Sequence, residues 1–361
     1  MSEVVILTSA VGLGVYIPAL LIRQQLRALG VTVSVEVLED FYTLKQQSSH
    51  IAHAQAHHAN FALAQLAHRM ARDVQQSLHE ERIQVLMERW AAQGCRHFIV
   101  WSGFWLPILE HYRHLTDWDL HIDHCRIDAD ISASFKIYLQ LRQFGREIWL
   151  WHGDSNSLVY EIGVGQHAPL SFAQRQPRVM IHGGGWGIGT YQDRAKALAP
   201  AGFALDLVVH NPDEAAFLQF NDCAYQLQPD WHAWQRDADG ELLFPPMHTL
   251  DNGESVPCEQ NADYHLLYDV IRRNQAIISK PGGCTLIDSL ASATPVILLE
   301  PYGYAEARNS AIWQQLGFGI SYADWQASGY SLERLVTLHS NLVNHTQRGV
   351  DYVKTYATMI L

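Results

Sequence analysis

The stretch Ala276–Ala311, AIISKPGGCTLIDSLASATPVILLEPYGYAEARNSA, decides how the chain is read. An apolar run, Ala276–Ser279, is ended by Pro281. The pair Gly282–Gly283 then makes a turn at which the backbone can come close to a ligand, and Thr285 opens a helix. A second apolar run, TPVILLEP, leads through a polar loop into a further helix that begins near Glu306. Strand, glycine turn, helix and strand make a βαβ unit, which implies a parallel sheet. Free N–H groups and the positive end of the helix favour an anion at such a turn, commonly a diphosphate. Asp288, in the first helical turn, either accepts hydrogen bonds from ribose hydroxyls or closes a T-x-x-D capping box with Thr285.

The same unit recurs upstream. VVILTSAVGLGVYIPALLIRQQLRALGVTVSVEVLE reads as a strand at Val4–Leu7, a turn containing Gly12 and Gly14, a helix closed by Gly30, and a β-branched second strand. Further strands are expected at His97–Gly103 and Glu147–Gly153. The second half restarts with a strand at Val179–His182, the glycine loop GGGWGIG (Gly183–Gly189), a helix, a Gly202 stop and a strand at Leu205–Val209. Between the halves, Val164–Pro177 is polar and proline-bounded. The expected organisation is α/β, with two open Rossmann-like domains facing each other across a cleft: residues 1–165, a linker 166–177, residues 178–345, and a terminal helix at 346–361 that packs back on the first domain. Residues 230–261 read as an irregular excursion with one strand or hairpin.

Composition narrows the partners. At 361 residues, 48% hydrophobic and 17% charged, the chain can bury two cores, and a net charge of −12 with no long basic run argues against nucleic acid. Arg23, Arg27, Lys45, Arg69 and Arg72 are spread among acids and histidines, so membrane association is not expected either. Five scattered cysteines without a CxxC pair point to free thiols, and the start MSEVVILTSA lacks the basic region of a signal peptide; the expected location is cytoplasmic.

The run Ser279–Asn309 resembles the carboxyl-terminal signature of nucleotide-sugar glycosyltransferases of the GT-B fold, in the branch of the lipid II N-acetylglucosaminyltransferase and the diacylglycerol glycosyltransferases. Those proteins carry a PGG-T-x-x-E turn and a (D/E)Q-x-x-N motif. The resemblance implies that Gly282, Gly283, Cys284 and Thr285 meet the diphosphate, with Gly184 and Gly185 of the glycine loop beside them. Asp288 would hold ribose in place of the usual Glu, and Glu306 and Asn309 would bind the sugar. The first turn, GLGVYIPALLIRQQLRALG, looks like the family's GGxGHxxPxxxLxxxLxxxG and places Gly14, Val15, Tyr16 and, further on, Trp105 on the acceptor side. The implied activity is inverting, metal-independent transfer of a hexosyl or N-acetylhexosaminyl group from an NDP-sugar, UDP for preference, to an unidentified acceptor such as a small metabolite. The nucleotide sugar is a co-substrate and no cofactor is implied.

One departure bears on mechanism. Relatives often carry a His three residues before the proline, and Val15 stands there. Valine cannot take the acceptor's proton. Replacement bases are sought at Asp40 after the second strand and at His121, Asp123 and His124 in HIDHC. An acceptor that is already nucleophilic would need no base. Loss of catalysis would leave a nucleotide-sugar-binding auxiliary protein, and an epimerase on the same fold is a further alternative. His50, His53 and His57 share one helix face, read as solvated or acceptor-lining with no metal.

Overall fold

The computed structural model describes residues 3–68, 72–251 and 254–361. Val4–Thr8 (β1) is buried along its whole length, as a strand covered on both faces must be. It pairs in parallel with Val33–Val37 (β2) on one side and His97–Val100 (β3) on the other, and the sheet continues through His121–Arg126 (β4) to Arg146–Trp149 (β5). The order is β2-β1-β3-β4-β5. Strand β4 is the strand of this sheet missed in the sequence, where HIDHCR offers no apolar run. Its polar side chains are buried because charged groups of β5 meet them: Asp123 takes two bonds from Arg146, and Arg126 gives two to Glu147.

The helix Tyr16–Ala28 (α1) turns Ala19, Leu20, Ile22 and Leu26 into the core and stops where Gly30 takes φ 81°, a left-handed conformation suited to glycine. Leu44–Ala59 (α2) is capped by the Thr43 side chain and buries none of its residues.

The second sheet has eight strands. Gln176–Ile181 (β6), Ala204–Val209 (β7), Cys223–Leu227 (β8), Asn274–Ser279, Val296–Leu298 and Gly319–Ser321 run parallel. Met247–Asp251 and Glu254–Pro257 add an antiparallel hairpin at the edge beyond β8. Strand β6 starts at Gln176, inside the segment expected to be a linker. Arg175 is the reason: its guanidinium is buried and donates to Thr294 and to the carbonyls of Asn274 and Ser292. The helices Leu266–Arg273 (α3), Gly283–Ser292 (α4) and Tyr304–Gln315 (α5) flank this sheet.

Residues 231–243, irregular as expected, clasp the two domains. Trp231 stands edge-on to Tyr16 at 5.9 Å, Tyr16 donates to the Leu243 carbonyl, Glu241 pairs with Arg23 and Arg27, and Arg236 reaches Val35 and Glu36. Arg23 and Arg27 are thereby committed to the clasp rather than to a basic face; Arg69 lies outside the described residues. The helix Tyr352–Ile360 (α6) lies on the first domain, where Tyr352 donates to Asp123. One apolar cluster runs through both domains, joining Leu13, Trp101 and Ile127 to Met180, Val208 and Leu286. Among the described residues no helix is long and apolar enough to cross a membrane.

Candidate active site

The carboxyl ends of both parallel sheets open into one cleft of about 470 Å³. On the first-domain side, the loop after β1 is shaped by Glu39. Its buried carboxylate accepts from Ser9 Oγ at 2.6 Å and from the Ala10 N–H at 2.7 Å, leaving Gly12 and Leu13 with positive φ. The glycine loop of the second domain comes down on this turn. A Cβ at Gly185 would lie 2.6 Å from the Gly12 carbonyl oxygen, so the approach requires glycine. The two turns found in the sequence as separate glycine motifs therefore form one junction.

Helix α4 begins at Gly283, two residues before Thr285, with Gly282 as its N-cap. A Cβ at Gly283 would meet the Ile127 carbonyl at 2.5 Å, so the Gly282–Gly283 turn also abuts the first domain. Gly282, Gly283, Cys284 and Thr285 line the cleft with Gly184, Gly185, Asp288 and Glu306, and the structure brings all of these together. Three partners not anticipated in the sequence stand among them. Lys280 bonds Glu306 at 2.6 Å. His182 accepts from the Gly184 N–H through Nδ1, so its Nε2 carries the proton of the neutral ring, and among the described residues that N–H has no partner. Burial and the Lys280 charge push the His182 pKa down to about 3, so the ring is neutral at ordinary pH.

The third is Asp128, just beyond β4. Its carboxylate accepts from Asn309 Nδ2 at 2.7 Å and borders the cleft. Burial, reinforced by the nearby Glu306 charge, raises its pKa to about 6, against the pull of Asn309, Lys280 and the Gly283 N–H. No spacing rule marks a lone acid after a polar strand. Its value appears only when Glu306 and Asn309 are folded against it.

Several predicted site residues lie elsewhere. Asp123 is buried beneath α6 and held by Arg146 and Tyr352, and His124 packs against Phe135 within the sheet, so neither reaches the cleft. Asp40 is on the outer side, paired with Arg82 at 2.9 Å. None of the three is placed to act as a base. Trp105 is in the core, donating to the Thr8 carbonyl at 2.7 Å, and Tyr16 is in the clasp; only Gly14 and Val15 of the acceptor-side set line the cleft, joined by Trp101 and Phe104. Asn309 is fully buried and saturated: it accepts from the Ala129 N–H and Trp151 Nε1 and donates to Asp128 and the Pro281 carbonyl. In this conformation it ties α5 to the first domain rather than facing a sugar. Asp288 is held by His265 Nε2 at 3.0 Å and is not bonded to Thr285, which sets the capping-box alternative aside.

The histidine face of α2 roofs the cleft. His50 and His57 pack against Trp186 of the glycine loop, at 5.2 and 5.8 Å between ring centres, and His53 lies alongside. His58 crosses to the second domain, bonding the Gly187 carbonyl at 2.8 Å and Glu214 at 2.6 Å.

With this geometry the chain can be set beside known structures. No family model and no curated protein matches the sequence. The fold, by contrast, is shared with solved glycosyltransferases over the full length. MurG of Acinetobacter baumannii aligns at a TM-score of 0.56 and 10% identity, covering 100% of this chain and 99% of that one. The spinosyn rhamnosyltransferase SpnG aligns at 0.53 and 14%, covering 100% of both. The Streptomyces sp. SF2575 glycosyltransferase SsfS6 aligns at 0.51 and 12%, covering 99% of both. The architecture is GT-B, two Rossmann-like domains across a cleft, as the sequence resemblance implied.

Proposed function

We propose that the protein transfers a sugar from an NDP-sugar, UDP-linked for preference, to an acceptor, with inversion and without a metal ion in the transfer step. Residues 178–345 hold the donor and residues 1–165 the acceptor. The observation that carries this reading is the anion seat of a GT-B cleft: the start of α4, Lys280 and the unpartnered His182 N–H converge where a diphosphate would sit. Asp288, oriented by His265, is the ribose ligand, and Glu306 beside Lys280 meets the sugar.

The acceptor enters against Val15, Ile17, Trp101 and Phe104, an apolar wall suited to a small, largely apolar metabolite. Asp128 takes the role for which Val15 is unfit. Its pKa of about 6 leaves it ionised yet basic near neutrality. As the acceptor oxygen attacks the anomeric carbon, its proton passes to Asp128. The bond from that carbon to the diphosphate oxygen breaks on the opposite face, and the charge on the leaving NDP is taken up by Lys280, His182 and the α4 N–H groups. Incubation with UDP-sugars and a panel of apolar hydroxylated acceptors tests the reading: it requires release of UDP with a glycosylated product of inverted configuration. Release of an epimerised nucleotide sugar instead would refute it.

A further inference from the structure

Among the described residues, one group of three side chains of metal-ligating type converges: His265, Cys284 and Asp288 bring Nε2, Sγ and a carboxylate oxygen within 4.8 Å of one another. We propose that this trio is a binding site for a thiophilic divalent cation of the Zn²⁺ class, set in the wall of the cleft so that metal and donor ribose exclude each other. Nothing in the sugar-transfer reading requires such a site, and metal binding stands without that reading; only the exclusion of the nucleotide rests on it.

The local structure favours a metal in three ways. Cys284 and Asp288 are four residues apart on α4 and so share a helix face, and His265 caps α3, which packs against it. Two of the ligands lie on α4 and the third immediately precedes α3 in the same domain, so the trio does not depend on closure of the cleft. Second, a tetrahedral zinc with bonds of about 2.0–2.3 Å has ligand–ligand edges of roughly 3.3–3.8 Å. The His265–Asp288 contact of 3.0 Å needs to open only slightly and the trio's 4.8 Å limit needs only a modest closing. Third, Asp288 brings a carboxylate to the trio itself, and its side-chain partner among the described residues is the His265 ring rather than a lysine or arginine.

Binding exchanges protons in a defined way. The Cys284 thiol loses its proton to solvent and becomes the thiolate ligand. His265 moves its ring proton to Nδ1, freeing Nε2, and its hydrogen bond to Asp288 is replaced by two bonds to the metal. Three protein ligands leave a fourth position for water. Because Asp288 is the residue assigned to ribose, a metal there occupies the donor's place.

The test is titration of the intact, EDTA-stripped protein with Zn²⁺ by calorimetry and with Co²⁺ by absorption. The proposal requires one tight site, a thiolate-to-cobalt charge-transfer band that is lost in Cys284→Ser, and at least about tenfold weaker Zn²⁺ binding in both Cys284→Ser and Asp288→Asn. Two control variants must leave both signals unchanged: Cys223→Ser, which removes the exposed thiol, and the triple change His50→Ala, His53→Ala, His57→Ala. Absence of the band, or equal Zn²⁺ affinity in Cys284→Ser, overturns the site; circular dichroism of each variant separates this from misfolding. Saturating UDP should weaken Zn²⁺ binding by about tenfold or more. A cobalt–thiolate band indifferent to a nucleotide that itself binds would uphold the metal site and overturn the shared seat, whereas UDP that does not bind at all counts against the donor reading alone.

Discussion

Replacing Asp128 by Asn should slow the protein and stabilise it at once. The carboxylate is enclosed between β4, the α4 turn and Glu306, and its pKa rises from 3.8 to about 6. At about 1.36 kcal/mol per pH unit, that rise corresponds to at most about 3 kcal/mol of destabilisation when the group is ionised. For an acid whose pKa is raised by folding, the penalty is absent below about pH 4, grows up to about pH 6 and is constant above. Asn keeps an oxygen that accepts from Asn309 Nδ2 and carries no charge, so the urea midpoint of the variant should exceed that of the wild type at pH 7.5, with the difference vanishing near pH 4. The same change removes the base, which should lower the rate of sugar transfer by about 10²–10⁴-fold, and wild-type activity should fall as pH drops through about 6. The assays are urea unfolding at the two pH values and UDP release from the donor, with acceptor or with water in its place. An unchanged rate, or a variant less stable than the wild type at pH 7.5, would refute the assignment.

Other perturbations have equally definite outcomes. Asp288→Ala leaves ribose hydroxyls unpaired and should weaken UDP binding by about 1–3 kcal/mol, roughly 5- to 150-fold, in a calorimetric titration. His58→Ala breaks the bond from α2 to Gly187 and Glu214. The Glu214 hydrogen bond raises the His58 pKa, and contacts with His58 and the His210 N–H pull Glu214 down to about 2, so the latch loses strength as pH rises through the raised His58 value and again as pH falls toward 2. The difference in melting temperature between wild type and His58→Ala should be larger near pH 5.5 than at pH 9; a difference independent of pH would contradict the ion pair. Gly185→Ala places a Cβ 2.6 Å from the Gly12 carbonyl oxygen and should push the two glycine turns apart, seen as a larger radius of gyration in solution scattering; an unchanged radius would show that the turns part without opening the domains.

What the sequence disclosed and what it withheld follow one physical division. The run from Ala276 to Ala311 was readable because strand, glycine pair and helix start are local: each needs only its neighbours in sequence, and each is present, with the two helices starting two residues earlier than expected, at Gly283 and Tyr304. The hairpin of Met247–Asp251 and Glu254–Pro257 falls in the segment expected to be irregular with one strand or hairpin. Strand β4 was not anticipated, because Asp123, His124 and Arg126 look solvated until Arg146 and Glu147 are supplied from the next strand. The same blindness put Asp123, His124 and Asp40 forward as bases and passed over Asp128, whose environment is made by Glu306 and Asn309 nearly two hundred positions away. Asn309 was assigned to the sugar from its motif, yet three of its four hydrogen bonds join the domains and the fourth holds the Pro281 carbonyl. Motif position located these residues, and long-range pairing decided what they are free to do.

The central claim is that the α4 turn, Lys280 and His182 form a seat for a nucleoside diphosphate. Calorimetric titration with UDP, TDP and GDP, in the presence and absence of EDTA, tests it directly. The account predicts micromolar binding of one of the three, undiminished by EDTA and weakened by Asp288→Ala. Binding of none of them would mean that the glycine turn only starts a helix and that the GT-B cleft of this protein holds something other than a nucleotide sugar.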